Sequence, residues 1–207
     1  MKRFMMIFLI SLILFPPVYA SASELVGMRF SFIRGDVQIR TEDTGDWVPA
    51  SINMPLREGD RIWVPEEGLA EIQTKDGSYL RLADRSALEI LSLDRDSYQT
   101  FLTEGRLYEY VRGGKDSLLQ VDTSPSSVRA YERSKFKVDV PERGPVDISV
   151  IQGDVYVENR EGRIEVKGGE SLSLGEGSYS EKSTLGSPDD WERWNWERDR
   201  EIAERRP

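Results

Sequence analysis

The sequence predicts an all-β protein that ends in one short helix. From about Arg29 to Ser180 apolar and polar residues alternate with period two, and glycines interrupt the alternation about every eight to twelve residues. At Ser187 the alternation gives way to signals that begin a helix. Together these patterns predict a β-sandwich or roll of many short strands with glycine turns.

Paired apolar residues two positions apart mark the individual strands, because successive side chains of a strand point to opposite faces. No helix is predicted before Pro188. Representative pairs are Val37 and Ile39, Ile62 and Val64, Leu80 and Leu82, Leu119 and Val121, Phe136 and Val138, Ile148 and Val150, Val155 and Val157, and Leu172 and Leu174.

Two hairpins stand out. Lys75-Asp76-Gly77-Ser78 lies between two alternating segments, and Asp-Gly favours a tight turn with positive φ at both central positions. Residues 159–163 predict a second, looser hairpin loop.

An internal similarity links distant parts of the chain. Residues 33–39, with Gly35-Asp36-Val37, resemble residues 151–157, with Gly153-Asp154-Val155, and residues 102–107 are a weaker third copy. The similarity indicates a strand, glycine turn and strand unit used repeatedly, in which glycine supplies a conformation that a Cβ would forbid. Chance likeness between valine- and glycine-rich strands is the alternative.

The first twenty residues predict a secretory signal peptide. Lys2 and Arg3 precede an almost wholly apolar run, and small residues at Val18 and Ala20, or at Ala20 and Ala22, suit a signal peptidase. The run is shorter than the roughly 20 residues that span a bilayer, so no membrane span is expected after cleavage. The predicted location is periplasmic or secreted.

The composition excludes several kinds of chemistry. The chain has no histidine and no cysteine, which rules out Ser-His-Asp and Cys-His catalysis, the usual zinc sites and disulfides. A pair of carboxylates could still hydrolyse a glycoside, but the acids lie in turns and on polar strand faces, which favours solvated positions. We expect no enzymatic activity, no cofactor and no metal.

The charge of the chain argues against nucleic acid as a partner. The net charge is −9, and removal of residues 1–20 takes away two basic residues and no acid, which leaves −11. Binding to phosphate depends on clusters of basic residues.

A polar, proline-containing stretch at 121–128 suggests a division of the β region. The predicted organisation is a β domain at 29–120, a second β segment at 121–180 that packs on it, and a helix within 187–207. Trp47 is expected in the core, since aromatic residues dominate burial.

The C-terminal segment holds the candidate interaction residues. Ser187-Pro188-Asp189-Asp190 begins a helix, and Arg198, Arg200, Arg205 and Arg206 suit its end. Trp191, Trp194, Arg198 and Ile202 share one helical face, whereas Trp196 points elsewhere. We hypothesise that this face either caps an open edge of the β domain or binds a partner. The candidate residues are Trp191, Trp194, Asn195, Trp196 and Arg198.

Several motifs in order resemble the FecR domain of the ferric-citrate regulator and of many exported bacterial proteins. They are Gly35-Asp36-Val37, Trp47-Val48-Pro49-Ala50, Leu56-Arg57-Glu58-Gly59-Asp60-Arg61-Ile62, Gly68-Leu69-Ala70-Glu71-Ile72, Asp76-Gly77-Ser78-Tyr79-Leu80-Arg81-Leu82 and Leu102-Thr103-Glu104-Gly105-Arg106-Leu107. The tail from Trp191 to Asp199 resembles a Trp-rich motif that follows FecR-like domains in an exported family of unknown function.

The resemblance implies a non-enzymatic extracytoplasmic module that engages a protein partner in the cell envelope. A carbohydrate- or peptidoglycan-binding module is the alternative, because exposed aromatic residues on a β scaffold can stack on sugars. The regulator class also has a cytoplasmic segment that acts on a sigma factor and a membrane span, neither of which is expected here, so no regulatory residue is carried over.

Overall fold

The computed structural model describes residues 27–95, 97–113, 117–131, 133–175 and 180–204. The predicted signal peptide, and Arg205 and Arg206 of the tail, lie outside the described residues. The described residues form strands and one helix, as predicted. They are β1 (Met28–Arg34), β2 (Gln38–Arg40), β3 (Trp47–Pro49), β4 (Pro55–Leu56), β5 (Arg61–Val64), β6 (Leu69–Thr74), β7 (Tyr79–Leu82), β8 (Ser86–Leu93), β9 (Ser97–Val111), β10 (Leu118–Asp122), β11 (Ser127–Ala130), β12 (Ser134–Val140), β13 (Val146–Gln152), β14 (Asp154–Asn159), β15 (Gly162–Lys167), β16 (Glu170–Leu174), β17 (Ser180–Thr184) and α1 (Asp190–Glu204).

The strands form two layers that share β9. Sheet A has the order β4-β1-β6-β7-β9-β12-β13-β16-β17. Sheet B has the order β3-β2-β5-β8-β9-β10-β11-β14-β15. The first half of β9 pairs in sheet B and its second half pairs in sheet A, so all 17 strands are connected by hydrogen bonds.

One hydrophobic core lies between the two sheets. Leu80 and Phe136 of sheet A and Ile62 and Val128 of sheet B belong to a single cluster of buried residues. These are the inward positions that the period-two pattern predicts. The two predicted β segments lie side by side in both sheets and meet where β12 pairs with β9 and where β11 pairs with β10.

The repeated glycine motif marks the corners where the chain passes between sheets. Gly35 joins β1 of sheet A to β2 of sheet B with φ of 75°, and Gly153 joins β13 to β14 in the same way with φ of 77°. Gly105, with φ of 94°, lies within β9 where that strand changes sheet. A Cβ at Gly153 or Gly105 would lie 2.6 Å from a backbone oxygen. The three similar segments therefore have one structural role, since glycine tolerates both the positive φ and the close approach.

The hairpin at residues 75–78 connects β6 and β7 as predicted, but its conformation differs from the prediction. Only Gly77 has positive φ, of 84°, and the Gly77 amide donates to the Thr74 carbonyl at 3.0 Å. The loop is four residues long, a length usually built around a type I turn rather than a two-residue turn with two positive φ values. The second predicted hairpin connects β14 and β15.

Helix α1 begins at a reciprocal cap. The Glu192 amide donates to Asp189 Oδ1 at 2.8 Å, and the Asp189 amide donates to Glu192 Oε2 at 2.9 Å. This pairing is a capping box with aspartate as the N-cap. The helix lies on the outer face of sheet A, and among the described residues it is the only helix. It is too short and too polar to cross a membrane.

Candidate interaction site

Helix α1 covers a row of side chains on the outer face of sheet A. One residue from each of five neighbouring strands belongs to this row, and each lies directly opposite the next. They are Phe32 on β1, Glu71 on β6, Arg81 on β7, Tyr108 on β9 and Lys137 on β12. Strand positions of this parity point away from the core, so the sequence pattern alone would place them in solvent.

An ion pair lies at the centre of this contact. Arg81 Nε donates to Glu71 Oε2 at 2.8 Å, and both side chains are fully buried. Arg198 of the helix donates from Nε and Nη2 to the two oxygens of Glu71, at 3.0 and 2.9 Å. Burial would raise the pKa of Glu71, but the hydrogen bond from Arg198 and the charge of Arg81 outweigh it, and the pKa lies below its usual value.

Asp199 is the second acid of the contact. One oxygen accepts from Arg81 Nη1 at 2.7 Å, and the other accepts from the Tyr108 hydroxyl at 3.0 Å and pairs with Lys135 Nζ at 2.8 Å. Burial, and then the charge of Asp199, raises the pKa of Tyr108 far above its usual value. The tyrosine is therefore a neutral donor at physiological pH. Asn195, which has no exposed surface, accepts from Arg81 Nη1 at 3.2 Å through Oδ1.

Aromatic residues flank this polar centre. Trp191 meets Tyr108 edge to face, with ring centroids 6.3 Å apart, and the Arg106 guanidinium lies 4.4 Å from the Trp191 ring centroid. Trp194 packs on Phe32 with centroids 6.1 Å apart. The contact therefore joins apolar burial to ion pairs screened from water.

The candidate residues of the tail divide into two groups. Trp191, Trp194, Asn195 and Arg198 face the molecule's own sheet, while Trp196 is 36% exposed. The hypothesis of a cap over a sheet edge is wrong in its location, because α1 covers a face of sheet A and not an edge. Whether a partner also uses these residues stays a prediction.

Sequence reasoning missed the strand side of this contact and Asp199 of the helix. Glu71, Arg81 and Tyr108 were not singled out, because polar residues at alternate strand positions usually indicate a solvated face. One signal was present: Glu192, Asn195 and Asp199 follow helical spacing on the side where Trp191 lies, and all three are buried.

A second surface surrounds β3 at one edge of sheet B. Trp47, Val48 and Ile52 are large apolar residues that are 49%, 39% and 56% exposed. The expectation that Trp47 lies in the core is wrong, because β3 pairs only with β2 among the described residues and Trp47 lies opposite Arg40 on the outer face. On its other side β3 has no partner strand in the described part of the chain, so that side is an open edge there.

Comparison with known proteins identifies the fold. Residues 60–156 match the family described as FecR protein. This chain carries a FecR domain. No curated protein matches the chain. Two crystal structures, each of a "putative anti-sigma factor" from Parabacteroides distasonis ATCC 8503, share the fold at 18% sequence identity. The match to one structure covers 60% of this chain and 59% of that chain, with a TM-score of 0.55. The match to the other covers 66% of this chain and 63% of that chain, with a TM-score of 0.56.

The matched FecR segment contains the strand side of the contact with α1 and none of the surface at β3. It includes Glu71, Arg81, Tyr108 and Lys135, which α1 covers, but α1 and β3 lie outside it. Among the described residues no group of three or more acids is placed to hold a metal ion.

Proposed function

We propose that this protein is an exported, non-enzymatic FecR module of the cell envelope that binds a protein partner through the open edge of sheet B at β3. The observation that carries the proposal is the concentration of exposed apolar residues at that edge. Trp47, Val48 and Ile52 are three of the five large apolar residues that are markedly exposed in the described chain, and they lie within six positions of one another.

An extended segment of a partner suits this surface. Strand β3 pairs only with β2 among the described residues, so on its other side a short added strand could pair with its backbone, although Pro49 has no amide to donate. Natural proteins protect such edges with short strands, proline, charge or a covering element, and β3 has the first two of these, which limits an added strand to a few backbone hydrogen bonds. Here the edge presents Trp47 and Val48, which gives an added strand apolar surface to bury.

The other candidate surface is already engaged. The outer face of sheet A holds α1 through the ion pairs of Glu71, Arg81 and Asp199, so four of the five candidate residues of the tail contact their own domain. A partner that used this face would first have to displace the helix. The open edge at β3 requires no such step.

A regulatory role is consistent with the family. The FecR match and the two anti-sigma factor structures of the same fold support a protein as the partner of this chain. The exposed Trp47 indole is the feature that favours the alternative, a carbohydrate- or peptidoglycan-binding module, because an open indole face can stack on a sugar ring.

A photo-crosslinking residue at Val48 tests the proposal in native host cells. We expect a discrete protein adduct from position 48 and none from position 183, which lies on β17 at the edge of sheet A. The adduct should disappear when Trp47→Glu is added. A label on peptidoglycan in place of protein would support the alternative, and equal labelling from both positions would overturn the β3 proposal.

Export has its own test. The mature protein from an envelope fraction should begin at Ser21 or Ser23, because those cuts leave small residues where the peptidase needs them. An envelope form that begins at Met1 would contradict the predicted cleavage.

A further inference from the structure

We infer that a cavity at one end of sheet A is a binding site for a small organic carboxylate. The cavity has a volume of about 360 Å³ and lies where β9 ends, β12 begins and β13 ends. Among the described residues its lining includes Asp76, Tyr110, Arg112, Arg133, Ser134 and Lys135. It is on a different sheet from β3, so it does not depend on the proposed partner surface.

Two buried polar groups in this lining have no hydrogen-bond partner among the described residues. They are Arg112 Nη1 and the hydroxyl of Ser134, a residue with 2% of its surface exposed. Buried polar atoms in folded proteins are almost always paired, and a guanidinium can only donate. The missing partner of Arg112 is therefore an acceptor, and the Ser134 hydroxyl can donate to the same group.

The charges at the cavity favour an acceptor that is an anion. Three cationic side chains, Arg112, Arg133 and Lys135, line the cavity against one carboxylate, that of Asp76. This is a local excess of positive charge in a chain whose net charge is −9. One oxygen of Asp76 is already engaged, since Oδ1 accepts from the Ser78 amide at 2.9 Å and from the Thr74 hydroxyl.

Two of these cations lie close to the Tyr110 ring. Lys135 Nζ lies 4.4 Å from the Tyr110 ring centroid, and the Arg112 guanidinium lies 5.4 Å from it. Lys135 also pairs with Asp199 of α1, but Arg112 forms no ion pair among the described residues. A carboxylate between Arg112 and Ser134 would accept charge-assisted hydrogen bonds and would compensate the charge of Arg112.

A neighbouring cavity indicates a ligand larger than an inorganic ion. Tyr110 and Lys135 also line a second space of about 550 Å³ that runs along α1 beside Trp196, Arg193 and Arg200. The exposed Trp196 indole offers an apolar surface to the body of a ligand whose carboxylate occupies the first cavity. An aromatic carboxylate fits both spaces.

Calorimetric titration of the whole mature protein with phenylacetate tests this site, with acetate and inorganic phosphate as comparison probes. We expect phenylacetate to bind more tightly than acetate. Arg112→Gln should weaken phenylacetate binding about tenfold or more, the scale of one charge-assisted hydrogen bond. Ser134→Ala should weaken it less, and Trp196→Ala should remove the preference for phenylacetate over acetate.

Arg57→Gln is the matched control. Arg57 pairs with Asp43 on the surface and lies outside the cavity, so this variant loses the same charge and should bind normally. Circular dichroism checks that Arg112→Gln folds, and Ser134→Ala keeps the test decisive if it does not. No binding by the wild type, equal binding by Arg112→Gln, or phosphate binding that exceeds carboxylate binding would each overturn the inference.

Discussion

Glu109 is a buried acid on the core side of β9. It lies between Leu80 and Phe136 in the register of sheet A, and neither of its carboxylate oxygens has a hydrogen-bond partner among the described residues. Burial, and then the charge of Asp76, raises the pKa of Glu109 well above its usual value. The folded protein therefore keeps this proton to a higher pH than the unfolded chain does.

The free energy of unfolding should therefore depend on pH through the protonation of Glu109. The contribution of Glu109 is fully present below its ordinary pKa and is lost as the pH rises through the raised value of the folded state. Glu109→Gln carries no titrating group, so it should match the wild type at pH 4 and be the more stable protein at pH 8. The difference at pH 8 is about 1.4 kcal/mol for each pH unit between the ordinary pKa and either the raised pKa or pH 8, whichever is lower.

Urea unfolding across that pH range measures the effect. Glu142→Gln, at an exposed position in the loop after β12, is the matched control and should follow the wild type throughout. Parallel pH profiles for Glu109→Gln and the wild type would show that Glu109 does not carry the raised pKa.

Asp199 is the residue on which three donors converge. Asp199→Asn removes the charge that faces Arg81 and Lys135 in a buried setting, so it should lower the free energy of unfolding by about 3–5 kcal/mol. Asp190→Asn is the same change in the same helix, but the Asp190 side chain is 96% exposed, and it should have an effect within about 0.5 kcal/mol. Equal urea midpoints for the two variants would rule out a stabilising role for the buried network.

At the scale of the element, α1 contributes large aromatic side chains and the second half of an ionic network. A chain that ends after Gly186 should lose a few kcal/mol of stability, the scale expected for loss of large buried aromatic residues. Its circular dichroism should keep the β signal. A chain that ends after Glu204 retains all of α1 and is the control. If both melt with the wild type, the helix does not stabilise the domain.

The sequence predicts this helix and its inward side but not what it contacts. The cap residues and the spacing of Trp191, Trp194 and Ile202 are local signals, which can be recognised without knowledge of the tertiary structure. The contact between Asp199 and Arg81 joins residues 118 positions apart. From the sequence alone, Glu71 and Arg81 would be predicted to form an ordinary surface ion pair. Their charges are buried only because the helix lies over them.

For the whole molecule, Gly105 is the point at which one strand passes between layers. Gly105→Ala would impose φ of 94° on a residue with a side chain and place its Cβ 2.5 Å from Ser86 Cα and 2.6 Å from the Arg85 carbonyl oxygen. The conformational strain and the overlap together should cost more than about 2 kcal/mol.

Gly186→Ala is the matched substitution, since no atom lies within 4 Å of a Cβ built there. It should leave the melting temperature nearly unchanged. Similar melting temperatures for the two glycine variants would mean that the corner tolerates a side chain.

The strands and their inward residues could be predicted because alternation is a local pattern, and the core cluster contains Ile62, Leu80, Val138 and Val155 as expected. The pairing order could not. Inward residues of β9 shift from even positions, as at Leu102, to odd positions, as at Leu107, and the sequence shows only an interruption at Gly105. Which sheet each half joins depends on distant strands, including the parallel neighbour β10. The exposure of Trp47 likewise depends on β3 lying at an edge.

Strand β9 also determines how cooperatively the molecule unfolds. It pairs with β8 and β10 in one layer and with β7 and β12 in the other, so neither layer can be lost while the other keeps its full set of partners. Thermal denaturation should therefore be a single cooperative event, with a van't Hoff enthalpy equal to the calorimetric enthalpy. Two resolved heat-capacity peaks would indicate that the halves of β9 separate independently, and that the layers are thermodynamic units in their own right.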